Sequence, residues 1–219
     1  KYDIMNDLMS LGLHRVWKRY AVAVAQVKEG DHVLDIAAGT GDLTRAFAKL
    51  VGARGLVVHS DINEAMLRRG RERLEDEGVL APSLLADAQA LPLPDASFDV
   101  VSAAFGLRNM TNKEQALAEM ARVLKPGGRV LILEITRPEG ALANTLLRAY
   151  MRGVVPTIAK LVARKPQTAE LWRYYWDTIE ACAPPQAVLR TLADAGFEAA
   201  ERHVELGIFS EYRAVRKAA

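Results

Sequence analysis

One run constrains this chain more than any other: His32-Val33-Leu34-Asp35-Ile36-Ala37-Ala38-Gly39-Thr40-Gly41-Asp42-Leu43-Thr44. Val33, Leu34 and Ile36 predict a short buried strand, and Gly39 and Gly41 punctuate it. A helix is expected to follow. Glycine lets the backbone bend sharply and lets a ligand approach without meeting a Cβ, so the run suits a nucleotide-like ligand. A dinucleotide fingerprint wants a third small residue and a helix N-terminus aimed at a pyrophosphate. Here the third position is Thr44, and Asp35 and Asp42 flank the glycines. Carboxylates repel a pyrophosphate but suit a ligand with a cationic amino group and a sulfonium. Leu56-Val57-Val58-His59-Ser60-Asp61 then supplies a second strand ending in an acid 22 residues after Gly39. Doubly wound folds grip a ribose diol at that place. The competing reading is an ordinary strand–turn–helix without a ligand.

The glycine turn, its flanking acids and the spacing to Asp61 together resemble the class I S-adenosylmethionine-dependent methyltransferases. Around them the pattern alternates. Strand 31–37 leads to helix 42–51, and strand 55–61 leads to helix 63–77 with Asn63 as N-cap. A short strand at 83–86, strand 98–104, a helix over 112–124, a Lys125-Pro126-Gly127-Gly128 turn and strand 129–135 follow. Successive βα units predict a parallel sheet covered on both faces. A helix over 185–195 precedes two strands, 197–205 and 208–216, read as an antiparallel hairpin at a sheet edge with Gly207 at its turn. The fold class expected is α/β: a Rossmann-like, doubly wound, mostly parallel seven-stranded sheet with an antiparallel edge hairpin and a helical insertion.

The 219 residues fit one domain, residues 1–219. Residues 2–27 repeat apolar side chains at helical spacing, so 1–27 reads as an N-terminal helical cap. Residues 137–184 break the βα rhythm and read as a helical insertion over the substrate site. Its aromatics, Trp172, Tyr175 and Trp176, suit either a packed helical pair or a lid over an apolar substrate. With 29 basic and 27 acidic residues the net charge is +2, and no dense basic run points to nucleic acid. Cys182 is the only cysteine, which leaves no intramolecular disulfide and fits a reducing cytoplasm. No apolar run reaches membrane-spanning length and no signal-peptide pattern is visible. The four histidines share no ligand spacing, so no metal is expected.

In open α/β sheets ligands bind beyond the carboxyl ends of the strands. Asp35, Gly39, Thr40, Gly41, Asp61 and Asp87 fall there, as does Ala104-Phe105-Gly106-Leu107-Arg108-Asn109. Asp87 suits the adenine amine with the Ala88 backbone beside it; a loop anchor is its other reading. Tyr2-Asp3-Ile4-Met5-Asn6-Asp7-Leu8-Met9-Ser10 onward to Trp17 resembles the N-terminal signature of the ubiquinone/menaquinone biosynthesis C-methyltransferase family. The resemblance extends to Asp35–Asp42 as cofactor loop and to Asp61-Ile62-Asn63 as ribose site. It also takes in Phe105-Gly106-Leu107-Arg108-Asn109 and Arg122–Arg129. It implies S-adenosyl-L-methionine as cofactor, with Thr40, Asp61, Ile62, Asp87 and Ala88 at cofactor positions. It further implies methyl transfer to a ring carbon of a prenylated benzoquinol or naphthoquinol, an apolar, membrane-derived acceptor. Cytoplasmic placement, peripheral at the membrane surface, follows from such an acceptor, and a homodimer is compatible with it. The family commonly has Ser where this chain has Ala104. Gly207-Ile208-Phe209-Ser210-Glu211-Tyr212 stands where the family has a glycine pair and then a histidine.

Attack by a ring carbon needs a deprotonated ring hydroxyl. Arg108 stays charged and suits an oxyanion or a water acting as base. Asn109 suits orienting the hydroxyl, and His14 is the conventional base. Arg108 as a tie between loop and helix, and His14 as a partner of backbone, are the alternatives.

Overall fold

A central strand with neighbours on both edges and helices on both faces has nowhere to show a polar side chain to water. His32–Ile36 (β1) is such a strand, buried from Val33 to Ile36, and its Asp35 is buried with the rest. In this computed structural model, which describes residues 20–138, 140–154, 157 and 176–218, β1 lies in a seven-stranded sheet. The other strands are Leu56–Asp61 (β2), Ser83–Leu85 (β3), Phe98–Ala104 (β4), Leu124–Ile135 (β5), Phe197–Glu205 (β6) and Phe209–Arg216 (β7). Their order is β3-β2-β1-β4-β5-β7-β6. The first five run parallel; β7 pairs antiparallel with both β5 and β6. The expected mostly parallel sheet with an antiparallel edge hairpin is therefore the observed one. The order reverses between β1 and β4, and a doubly wound sheet opens its ligand crevice at such a point.

Each face of the sheet carries its own core. On one, Val33, Val57, Val100 and Leu131 meet Leu43 and Phe47 of α1 (Asp42–Val51), with Ala21 and Ala25. On the other, Leu34, Ile36, Val101 and Ile132 meet α3 (Lys113–Val123) and α5 (Pro185–Asp194) through Leu117, Met120 and Leu192. Each side chain buried as fully as Phe47 or Leu192 contributes about 1.5–3 kcal/mol. The helix α2 (Glu64–Asp76) starts where expected, because the Asn63 side chain accepts from the Met66 amide at 3.1 Å. Asn112 caps α3 in the same way, accepting from Gln115 at 2.9 Å.

The Lys125–Gly128 turn is absorbed into one long strand. Phe98 pairs with Leu124 and Val100 with Arg129, so Asp99 alone opposes the four residues 125–128. The Asp99 carboxylate holds that excursion by accepting from Lys125 Nζ at 2.8 and 2.9 Å. The edge hairpin turns at Leu206 and Gly207, both at positive φ, as a tight hairpin turn requires.

Of the insertion, α4 (Ala141–Ala149), a π-turn at Tyr150–Val154 and a helical stretch over 176–180 are described. Met151, Trp176 and Ile179 form a small core there against Ile135, Leu147 and Tyr150. Trp176 is 1% exposed and its indole N–H donates to Glu180 at 3.2 Å, which is the packed-pair arrangement. Trp172 and Tyr175 lie outside the described residues, as do residues 1–19 of the segment expected to form a cap.

Candidate active site

The glycine loop is held from below. Asp61, at the end of β2, accepts from the Gly39 amide with Oδ2 and from the Asn63 amide with Oδ1, both at 2.8 Å. His59 Nε2 contacts the Gly39 carbonyl at 3.1 Å, so that nitrogen carries the proton, and Nδ1 faces Ser83 Oγ at 3.3 Å. α2 comes close enough to lock this arrangement because residue 70 is glycine. A Cβ there would lie 2.5 Å from both the Gly39 carbonyl oxygen and the His59 ring. The loop itself passes through positive φ at Ala37, Gly39 and Gly41. Gly41 leads into α1 and, being glycine, supplies no side-chain cap.

The two acids flanking the glycines do different work from the one expected. Asp35 points into the interior, accepting from Thr44 Oγ1 at 2.7 Å and Ser102 Oγ at 2.8 Å. Burial pushes its carboxyl above the usual range, against the pull of those two hydroxyls. Asp42 pairs with Arg73 of α2 at 2.8 Å. The carboxylate brought to the loop is Asp61. Thr40 is half-buried in the loop between them.

Next along the sheet edge, Ile62 follows β2 and is 66% exposed, and Leu85 ends β3 at 53%. Both are large apolar side chains left exposed at strand ends, and Leu85 pairs in register with Asp61. Asp87 lies just beyond, half-buried, accepting from the Gln89 backbone at 2.9 Å and its side-chain amide at 3.0 and 3.1 Å. Ala88 is buried behind it. Leu85 carried no motif in the sequence.

On the other side of the switch point, Leu107–Asn109 forms a short 3-10 turn after β4, preceded by Phe105 at φ +59. Strained backbone of this kind gathers at functional sites. The Arg108 guanidinium forms an ion pair with Glu134 at the end of β5, and the two side chains are 4% and 2% exposed. The same guanidinium donates to the Phe105 carbonyl at 2.8 Å and to Thr178 Oγ1 at 3.2 Å. Glu134 also accepts from the Arg108 and Ile135 amides, both at 3.0 Å. Of the two roles open for Arg108, these contacts are those of a tie: they join the loop after β4 to β5 and to the insertion. Asn109 is exposed at the turn, its amide 3.4 Å from the Phe105 carbonyl. His14 and Tyr2 lie outside the described residues. Glu134 was invisible in the sequence because it reads as one more residue of a β-strand; only a cation across the sheet end marks it.

The model of the ubiE/COQ5 methyltransferase family matches residues 1–216, and so takes in the last third as well as the glycine loop. The chain is 53% identical over 199 residues to the ubiquinone/menaquinone biosynthesis C-methyltransferase UbiE of Burkholderia mallei, across 90% of this chain and 80% of that protein. The corresponding protein of Burkholderia thailandensis matches to the same extent. Among solved structures, a SAM-dependent methyltransferase from Aquifex aeolicus has a TM-score of 0.66 at 23% identity, over 90% of this chain and 88% of that one. Haemonchus contortus phosphoethanolamine N-methyltransferase 2, in complex with S-adenosyl-L-methionine, has a TM-score of 0.68 at 16% identity, over 92% and 52% of the two chains. These two share the fold.

Proposed function

The chain belongs to the ubiE/COQ5 methyltransferase family, and from that premise we propose that it transfers a methyl group from S-adenosyl-L-methionine to a ring carbon of a prenylated benzoquinol or naphthoquinol. The observation that carries the reading is 53% identity across 90% of the chain to an enzyme named for that step. When bound, S-adenosyl-L-methionine supplies an electrophilic methyl on a sulfonium.

The residues at the crevice fit this cofactor. Each Asp61 oxygen accepts one backbone N–H and keeps a second lone pair, which suits the ribose diol. Ile62 offers an exposed apolar surface to adenine, and Asp87 with Ala88 offers an acceptor and a floor beside it. Gly39, Thr40 and Gly41 bring the backbone against the ligand. Asp35 acts from behind, fixing the direction in which the loop leaves β1.

Methyl transfer is an in-line displacement, so positioning does much of the work. In this proposal the Arg108–Glu134 pair sets the 105–109 turn, and Asn109 orients the ring hydroxyl. Arg108 then acts on the acceptor through the field and shape of that turn. His14 takes the hydroxyl proton, since imidazole exchanges protons near neutral pH. The chain works as one domain, with residues 1–27 as a cap and 137–184 as the wall over the acceptor. No described helix is long and apolar enough to cross a membrane. Leu142 and Leu146 of α4 are 75% and 62% exposed, which supports work at a membrane surface where a prenylated acceptor resides.

The test is incubation of a reduced quinone extract with methyl-labelled S-adenosylmethionine, followed by mass spectrometry. The expected product is a quinone heavier by one labelled methyl, retained after hydrolysis that cleaves O-methyl groups. Label on oxygen or nitrogen, or none on any quinone, contradicts the proposal.

A further inference from the structure

Side chains two positions apart on a strand share a face, so His59 and Asp61 of β2 point to the same side. Both reach Gly39. Asp61 Oδ2 accepts from its amide at 2.8 Å, and His59 Nε2 donates to its carbonyl at 3.1 Å. One residue of the glycine loop is therefore gripped at both of its backbone groups from a single strand. Asp61 keeps lone pairs for a ligand, whereas His59 is 0% exposed and can touch none.

His59 is part of a buried polar row. In register across the sheet stand Ser83 on β3, His59 on β2, Asp35 on β1 and Ser102 on β4. Ser83 Oγ lies 3.3 Å from Nδ1, so its hydroxyl donates there and leaves the ring proton on Nε2, facing Gly39. An apolar side chain buries without needing partners, as Val57 does two positions earlier on the same face. What the imidazole adds at this position is a donor.

The loop has a use for that donor. Glycine lets a ligand come close, and the same freedom lets the peptide plane that follows it turn over. Gly39 stands at φ +57, and its carbonyl is turned inward against His59. In a trans peptide the N–H points opposite to the C=O, so the Thr40 amide faces outward. Turned by half a revolution, the same peptide would show its carbonyl oxygen to the ligand and bury the amide.

We propose that His59 is a positioning residue for the cofactor: its Nε2–H fixes the Gly39–Thr40 peptide with the amide facing the crevice. The inference rests on the reading that seats S-adenosyl-L-methionine at this loop. Without the donor, part of the population carries the turned peptide, and apparent affinity falls with the competent fraction.

Calorimetric titration of the full chain with S-adenosylhomocysteine tests this, with unfolding midpoints measured alongside. His59→Leu should bind roughly tenfold more weakly, the cost of leaving a carbonyl without its donor. His59→Gln, whose side-chain amide can donate in place of Nε2, should recover most of that loss. A residue that only filled the core would give the reverse order, since leucine buries more readily than glutamine. In turnover the loss should fall on the KM for S-adenosylmethionine and leave the acceptor KM where it was. Equal affinity in wild type and His59→Leu overturns the inference, as does equal weakening by leucine and glutamine. Should His59→Leu not fold, Ser83→Ala on the edge strand takes its place. Releasing Nδ1 should weaken binding about twofold to threefold, and unchanged affinity overturns the inference. Asp61→Ala separates the two claims. If it weakens binding and His59→Leu does not, only the role of His59 falls. If neither does, or the wild type binds no S-adenosylhomocysteine, the cofactor is not at this loop and both fall.

Discussion

At the scale of single residues, Arg108 decides most. A guanidinium 4% exposed and paired with a carboxylate 2% exposed is a buried ion pair, whose charges are satisfied by each other and by backbone. Removing one partner of such a pair leaves the other charge buried, at a cost of about 3–5 kcal/mol. Arg108→Ala should therefore lower the unfolding midpoint in denaturant sharply, and Arg108→Ala/Glu134→Ala should recover part of the loss. An Arg108→Ala variant of wild-type stability with turnover down by orders of magnitude would make Arg108 an oxyanion donor instead. The sequence marked Arg108 as important through the motif around it. It did not show which way the guanidinium turns, because that depends on Glu134, 26 positions away. The same limit applies to Asp35 and Asp42: their nearness to the glycines was legible, and their commitments to Thr44, Ser102 and Arg73 were not.

At the scale of elements, Asp35 bolts β1 to α1 through Thr44 and to β4 through Ser102. Its carboxyl is raised by burial, so the folded chain holds a proton there that the unfolded chain has already released. Stability from this group is therefore greatest at low pH. It declines as pH rises from the ordinary carboxyl value through the raised folded value, and stays lower above it. Asp35→Asn cannot titrate and keeps an acceptor for one hydroxyl. Denaturant unfolding over an acid-to-neutral pH series should show that decline in the wild type and a flatter course in Asp35→Asn. Two curves separated by a constant would mean that Asp35 titrates alike in the folded and the unfolded chain. Element ends were legible wherever a local signal fixes them, as with Asn63 and Gly207. In sequence the Lys125–Gly128 excursion has the pattern of a plain turn, because the side chain that holds it in the strand, Asp99, lies on another strand.

For the whole molecule, alternation of strand and helix was enough to give the sheet, its parallel body and its reversed edge, since burial of the inner strands β1, β2 and β4 on two faces leaves few other arrangements. The polar row through His59 was not legible, being made by side chains of four strands that no local pattern joins. The account's central claim is that the loop after β1, anchored by Asp61, is where S-adenosyl-L-methionine is held. Calorimetric titration with S-adenosylhomocysteine tests it most directly, on the wild type and on Asp61→Ala. Loss of a charged acceptor should weaken binding by about 1.5–3 kcal/mol, roughly 10- to 150-fold. Equal affinity in the two proteins would place the cofactor elsewhere and contradict the account.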